Sequence, residues 1–190
     1  MKSFTEILEA YSKLSKEDTA SLKKKILIKS IPKGTLLQRQ GDLNSNVYYV
    51  KKGLLRSYSI DEKGKEHIFL FAPEGWTMAD GESHEKPTDL FIETLEDCEL
   101  EILNKRILVN EFTSATNASE VERSKSLLRR IAVMQKRIIM LMSASALERY
   151  EHFTKMYPQI LQRVPQKMIA SYLGITPEAL SKVKNQRVNK

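Results

Sequence analysis

The sequence predicts an α+β chain: an N-terminal antiparallel β-barrel or jelly roll, then one long helix, then a C-terminal helix-turn-helix domain. Three observations predict it. Short apolar runs alternate with turn signals over about residues 25–103. A helical period carrying two apolar stripes begins near Asn117. A helix, a glycine turn and a second helix follow one another over residues 165–185. The expected divisions are 1–116 for the barrel with its N-terminal helices, 117–143 for the long helix and 144–190 for the helix-turn-helix.

Each element has its own signal. Phe4, Ile7, Leu8 and Tyr11 share one face of a short amphipathic helix, and Glu6 and Glu9 inside that pattern speak against a secretory signal. Ser15 followed by Glu17 and Asp18 reads as the start of a second helix running to about Lys24. Runs such as Val47-Tyr48-Tyr49-Val50 then stand between the turn signals Pro32-Lys33-Gly34, Gln40-Gly41-Asp42, Lys52-Gly53 and Asp61-Glu62-Lys63-Gly64. Strands at that spacing suggest an antiparallel sandwich or barrel.

Over 117–143, Leu127, Ile131, Met134, Ile138 and Leu141 recur at alternating steps of four and three, a heptad seam. Leu128, Ala132, Gln135, Ile139 and Met142 form a second stripe beside it. Two stripes need two surfaces, which favours a homodimer over a long helix lying on its own barrel. Ser145-Ala146-Leu147-Glu148 is a capping box, so one helix ends near Ser143 and another begins.

The segment PQKMIASYLGITPEALSKVKN carries most of the functional information. Ile169, Ala170 and Leu173 bury the first helix, and Gly174 suits the left-handed residue of a tight turn. Thr176 is placed to cap the next helix and Pro177 to open it. Leu180 and Val183 turn inward, leaving Glu178, Ser181, Lys182 and Asn185 on one outward stripe. This layout favours DNA binding over a generic helical hairpin. Glu178, Ser181, Lys182 and Asn185 then face base edges, while Gln166, Lys167 and Thr176 stand near helix N-termini, where phosphates are favoured. A bland alternative for Glu178 and Lys182 is an exposed ion pair.

Charge supports the division. Residues 1–120 hold 17 Lys/Arg and 20 Asp/Glu, whereas 121–190 hold 14 and 4, so the C-terminal third is strongly basic. No apolar run is long enough to span a membrane. One cysteine, Cys98, excludes an intrachain disulfide or a cysteine metal cluster, and His67, His84 and His152 show no ligand spacing. No cofactor or metal is expected, and a reducing, cytoplasmic location is the simplest reading.

The whole chain resembles the CRP/FNR family of bacterial transcription regulators. The resemblance rests on the order of elements, on the barrel motifs Pro32-Lys33-Gly34, Gln40-Gly41-Asp42 and Val47 to Gly53, and on VPQKMIASYLGITPEALSKV. Phe71-Ala72-Pro73-Glu74-Gly75-Trp76 and the C-terminal segment are similar to a Bacteroidetes-type subgroup. The resemblance implies a barrel of the cyclic-nucleotide-binding type, a homodimer, a two-fold-related DNA site, and RNA polymerase as a further partner. It also implies base contacts for Glu178 and Lys182.

Two departures from that pattern stand out. Cyclic-AMP binders carry Gly-Glu and then an Arg-Ser pair that holds the cyclic phosphate. The corresponding effector-pocket positions here are Gly81 and Glu82, then Thr88 and Asp89. Thr88 supplies no charge and Asp89 repels a phosphate, so tight cyclic-AMP binding is not expected and the effector is unknown. Lys63, Lys65 and Arg56 compensate only if they point inward. Secondly, about seven residues follow Val183, so the wing usual in the family is expected to be absent.

Two other functions compete. One is a ligand-sensing module whose C-terminal helices bind protein instead of DNA. The other is an enzyme on a cupin-like barrel, which lacks the acid/base or metal constellation it needs.

Overall fold

The computed structural model describes residues 3–12, 16–43, 46–80, 86–108 and 117–188. It divides into two compact units: residues 1–59 with 70–128, and residues 60–69 with 129–190.

The first unit opens with α1 (Phe4–Ser12) and α2 (Lys16–Lys25). Eight strands follow: β1 (Leu27–Ile31), β2 (Leu36–Gln38), β3 (Asn46–Lys52), β4 (Leu55–Ile60), β5 (Glu66–Ala72), β6 (Thr77–Met78), β7 (Phe91–Thr94) and β8 (Cys98–Asn104). They form two four-stranded sheets in the orders β1-β8-β3-β6 and β2-β7-β4-β5. The expected barrel is thus a β-sandwich of two antiparallel sheets.

The apolar run in β3 is explained by burial on both faces. Tyr48 and Val50 enter the core between the sheets with Leu55, Ile92 and Leu100. Val47 and Tyr49 turn to the opposite face and pack with Phe4, Leu8 and Leu22 of the two helices. Phe4 stacks on Tyr49 at 5.6 Å. Glu101, 5% exposed, accepts the Phe4 N–H at 2.8 Å and so places a carboxylate at the N-terminus of α1, where the helix dipole favours it. Gly53 adopts φ +96°, and a Cβ there would stand 2.6 Å from Cys98 Sγ. That close approach needs glycine, and it makes Cys98 a buried packing residue.

The remaining helices are α3 (Asn117–Ser143), α4 (Ala146–Met156), α5 (Gln166–Leu173) and α6 (Pro177–Val188). The break between α3 and α4 lies where the capping box predicts it: Glu148 N–H donates to Ser145 Oγ and the Glu148 side chain accepts the Ser145 N–H. Among the described residues, no helix is long and apolar enough to cross a membrane, and no cluster of three potential ligands is placed to hold a metal.

Candidate nucleic-acid interface and effector region

The second unit is built around α4, α5 and α6, which pack on one another. Ile169, Ala170 and Leu173 are buried on α5, Leu180 and Val183 on α6, and Tyr150 and Phe153 on α4. Phe153, Tyr157 and Tyr172 pack with ring centroids 5.2–5.7 Å apart. Burial among these rings pushes the Tyr157 hydroxyl far above the ordinary phenol range.

The turn between α5 and α6 is fixed by backbone geometry. Gly174 has φ +66°, its N–H returns to Ala170 and Ser171 carbonyls, and Ile175 N–H donates to Ala170 O at 3.0 Å. These bonds satisfy carbonyls that the helix end leaves open. Two arginines hold the same end. Arg149 donates to Leu173 O at 2.7 Å, and Arg137 donates to Tyr172 O at 3.3 Å while lying 3.8 Å from the centre of the Tyr172 ring. Cations at a helix C-terminus oppose the negative end of its dipole. The sequence patterns did not single out either arginine, because each sits in a helical run where a basic residue is ordinary.

Thr176 caps α6: its Oγ1 accepts the Ala179 N–H at 3.2 Å. The Glu178 carboxylate accepts its own backbone N–H and, second, the Thr176 hydroxyl, and both hold it below the usual carboxylate range. Glu178 is therefore exposed and tethered to the start of the helix. Ser181 donates to Pro177 O at 3.1 Å, so its hydroxyl turns back onto the helix. Lys182 and Asn185 are exposed on the same side. Gln166 and Lys167 are exposed at the start of α5, and Lys184 Nζ donates to Gln166 Oε1 at 3.3 Å, tying the two helices.

Residues 60–69, from the last residue of β4 through the first four residues of β5, belong to this unit. The Ser171 hydroxyl on α5 accepts the Ile68 N–H and donates to Glu66 O, both at 3.0 Å. No sequence signal marked Ser171. At the hairpin turn, Asp61 accepts the Lys63 and Lys65 N–H groups and meets His67 Nε2 at 2.8 Å.

On α3 both apolar stripes are open in the single chain. Leu128 is 64% exposed, Ile131 61%, Ile138 57% and Met142 82%, with Met134 and Leu141 also exposed. Leu127 lies on the helix, but its side chain is outside the described set.

In the sandwich, Gly81 and Glu82 lie outside the described residues. Thr88 is 2% exposed, and its polar atoms are tied to the turn before it: the hydroxyl donates to Arg39 O, the N–H to Asp42 O, and the carbonyl accepts Gly41 N–H. Asp89 is exposed, but its N–H and that of Leu90 both donate to Asp80 Oδ2, at 2.9 and 2.7 Å. The buried Gln38 amide also donates to that oxygen at 3.1 Å. Arg56 is buried and pairs with Glu93, Nη2 to Oε2 at 2.6 Å, while lying 4.1 Å from the centre of the Tyr58 ring. Lys63 and Lys65 are exposed on the hairpin turn.

A two-layer antiparallel sandwich followed by a glycine-turned helix pair defines the class of fold. Comparison with known proteins gives that class a name. Residues 28–114 match the family model of the cyclic nucleotide-binding domain. Solved structures share the fold. FixK2 from Bradyrhizobium japonicum matches with TM-score 0.70 at 18% identity, over 85% of this chain and 83% of that one. The c-di-GMP-responsive global regulator CLP from Xanthomonas campestris matches with TM-score 0.66 at 16% identity, over 92% and 93%. A structure described as a transcriptional regulator of the CRP/FNR family, from Eubacterium rectale, matches with TM-score 0.68 at 16% identity, over 93% and 85%. Comparison with curated protein sequences gives no match. The fold is therefore the β-sandwich of the cyclic nucleotide-binding domain followed by C-terminal helices, as in CRP/FNR-family regulators. Two of these three neighbours, CLP and the Eubacterium rectale protein, are described as regulators.

Proposed function

We propose that the chain is a sequence-specific, DNA-binding regulator of transcription that acts as a homodimer and does not hold cyclic AMP tightly. One observation carries the reading. The helix pair α5–α6 presents Gln166 and Lys167 at the start of α5, Thr176 and Glu178 at the start of α6, and Lys182 and Asn185 further along it, all exposed, in the part of the chain with an excess of ten basic residues (14 against 4 over 121–190). Such a helix presents its first turns to the major groove. Lys182 then donates to a guanine edge, and Gln166 and Lys167 meet backbone phosphates. Asn185 lies one turn beyond Ser181, whose hydroxyl is already committed to its own helix.

Dimerisation is supported by the open seam of Ile131, Met134, Ile138 and Leu141 on α3, whose apolar side chains a second copy would remove from water. A two-fold dimer places two recognition helices on two half-sites. A contact to RNA polymerase completes the regulatory reading.

The cyclic-AMP part rests on Asp80. The resemblance assigns the phosphate-holding pair to Thr88 and Asp89. Their region is already furnished with an internal anion, since the Asp80 carboxylate takes the N–H groups of Asp89 and Leu90. Arg56 is neutralised by Glu93. A second anion there meets the Asp80 carboxylate, and Lys105, the cation beside it, already donates to Asp80 O at 3.4 Å.

Anisotropy titration against fragmented DNA at rising salt tests the DNA reading. Binding that weakens steeply with salt supports it. Binding that is absent at low salt, with capture of a protein partner instead, favours the module without DNA.

A further inference from the structure

We propose that Arg137 is a positioning residue: it straps the pair α5–α6 to α3 across the break between α3 and α4, and so fixes the spacing at which two copies read two half-sites. The consequence at DNA rests on the regulator reading; the strap itself does not.

The break has the chemistry of a pivot. α3 ends at Ser143 and α4 begins at Ala146. Ser145 between them is extended, with φ −64° and ψ 161°. A few residues at the ends of two helices can absorb a change of direction between them. The part of α3 from residue 129 on lies in one compact unit with α4, α5 and α6. The direction of those packed helices relative to α3 is therefore set by side chains that cross the break.

Leu141 and Arg137 of α3 both cross it. Leu141 Cδ2 lies 3.6 Å from the point that a Cβ on Gly174 would occupy, beside the turn between α5 and α6. Arg137, half-buried, reaches the last turn of α5. Its Nη2 donates to Tyr172 O at 3.3 Å, and its Cζ lies 3.8 Å from the centre of the Tyr172 ring. The Phe69 ring is 5.9 Å from the same carbon. Tyr172 in turn packs on Phe153 of α4 and on Tyr157. One guanidinium thus meets both the backbone and the ring of a residue keyed into the aromatic core of the unit.

The two contacts differ in what they fix. Apolar burial, as at Leu141, has no direction. A guanidinium is planar, so stacking on a ring sets its plane and a hydrogen bond sets its rotation within that plane. Arg149 supplies the contrast. It donates to the adjacent carbonyl, Leu173 O, at 2.7 Å, but it stands on α4, beyond the break. Arg149 closes the end of α5 without holding α3. Arg137 does both.

Arg137 also lies among the seam residues Ile131, Met134 and Ile138 of the same helix. A dimer built on that seam fixes the two copies of α3 against each other. The separation of the two α6 helices then follows the angle at each break. Half-sites one DNA turn apart demand a separation of about 34–36 Å.

Two measurements on the full chain test the proposal. In the first, spin labels stand on Val133→Cys of α3 and Gln186→Cys of α6, both exposed positions, with the buried Cys98 left in place. Labelled chain is diluted with unlabelled chain, so pulsed electron resonance reads the distance within one chain. The expected result is one narrow distance, broadened by Arg137→Ala and by Arg137→Met, which keeps the apolar stem. Arg149→Ala should lower the unfolding midpoint and leave the distance narrow. In the second, each protein selects from a random duplex library. The parent should select two half-sites at one spacing. Arg137→Ala should keep the bases within each half-site and lose discrimination between neighbouring spacings by about tenfold, within the range carried by coupling residues that touch no ligand.

An unchanged distance in both Arg137 variants overturns the strap, whatever the DNA selection gives. Equal broadening by Arg149→Ala overturns it too, since closing the end of α5 would then be the whole effect. Altered bases within the half-site would make Arg137 a direct DNA contact and refute the positioning role. A parent that selects no paired motif, with a distance that Arg137→Ala still broadens, would refute the regulator reading and the spacing role while upholding the strap.

Discussion

Asp80 Oδ2 stands 2.7 Å from the backbone N of Leu90 and accepts its N–H. The same oxygen accepts from Asp89 and from Gln38, so one carboxylate organises the start of β7. The chain thereby satisfies, from within, backbone donors that an external anion would otherwise seek. Replacing Asp80 by Ala leaves those donors without their acceptor. The expected cost is about 1–3 kcal/mol of stability, read as a lower midpoint in urea unfolding. The unsubstituted protein should show no calorimetric binding of cyclic AMP; micromolar binding would contradict the role given to Asp80.

The seam on α3 gives a second prediction. Ile138 is 57% exposed in one chain, so Ile138→Glu is tolerable in a monomer. In a dimer it buries an unpaired carboxylate. Light scattering should read a dimer for the parent protein and a monomer for the variant. An unchanged mass for the variant would move the interface elsewhere.

Gly174 sets the angle between α5 and α6. Its φ of +66° is costly for a residue with a Cβ, and the added atom would lie 3.4 Å from Arg149 Nη1. Gly174→Ala should cost about 1–2 kcal/mol. It should also lower DNA affinity, because the turn positions the exposed face of α6. Unfolding melts and DNA titration of one variant check both.

His152 predicts a pH dependence. Its pKa is depressed, first by burial and then by Lys136 and Lys155. The unfolded chain therefore binds the proton more readily than the folded one just below the ordinary histidine value of about 6.5. Stability attributable to this group is complete above that value and falls as pH drops through it toward the depressed folded value. His152→Gln should flatten that part of the stability profile. A variant with the same slope between pH 5 and 7 as the parent would remove His152 as its source.

Much of this fold is legible in residue order. The glycine turns, the apolar run of β3, the capping box at Ser145 and the cap at Thr176 each follow from local stereochemistry and composition, which a sequence carries directly. Three features were not legible because they join residues distant in the chain. Asp80 reaches Asp89 and Leu90, nine and ten positions further along the chain. Arg137 and Arg149 reach the end of α5 from other helices, 35 and 24 residues away. Ser171 grips Ile68 from 103 residues away. A side chain's partner in such pairs is set by packing, and its own neighbours in sequence say nothing of it. The role of Arg56 was similarly open until its partner Glu93 appeared on the adjacent strand.

The central claim is that α6 reads a DNA sequence. The most direct measurement is to incubate the full chain and its Lys182→Ala variant with fragmented genomic DNA and to sequence what each retains. The account predicts a two-fold-related motif for the parent. For Lys182→Ala it predicts a blurred base preference within each half-site and a loss of about 1–3 kcal/mol on the preferred sequence. Retention of no common motif by the parent at low and at moderate salt would contradict the account.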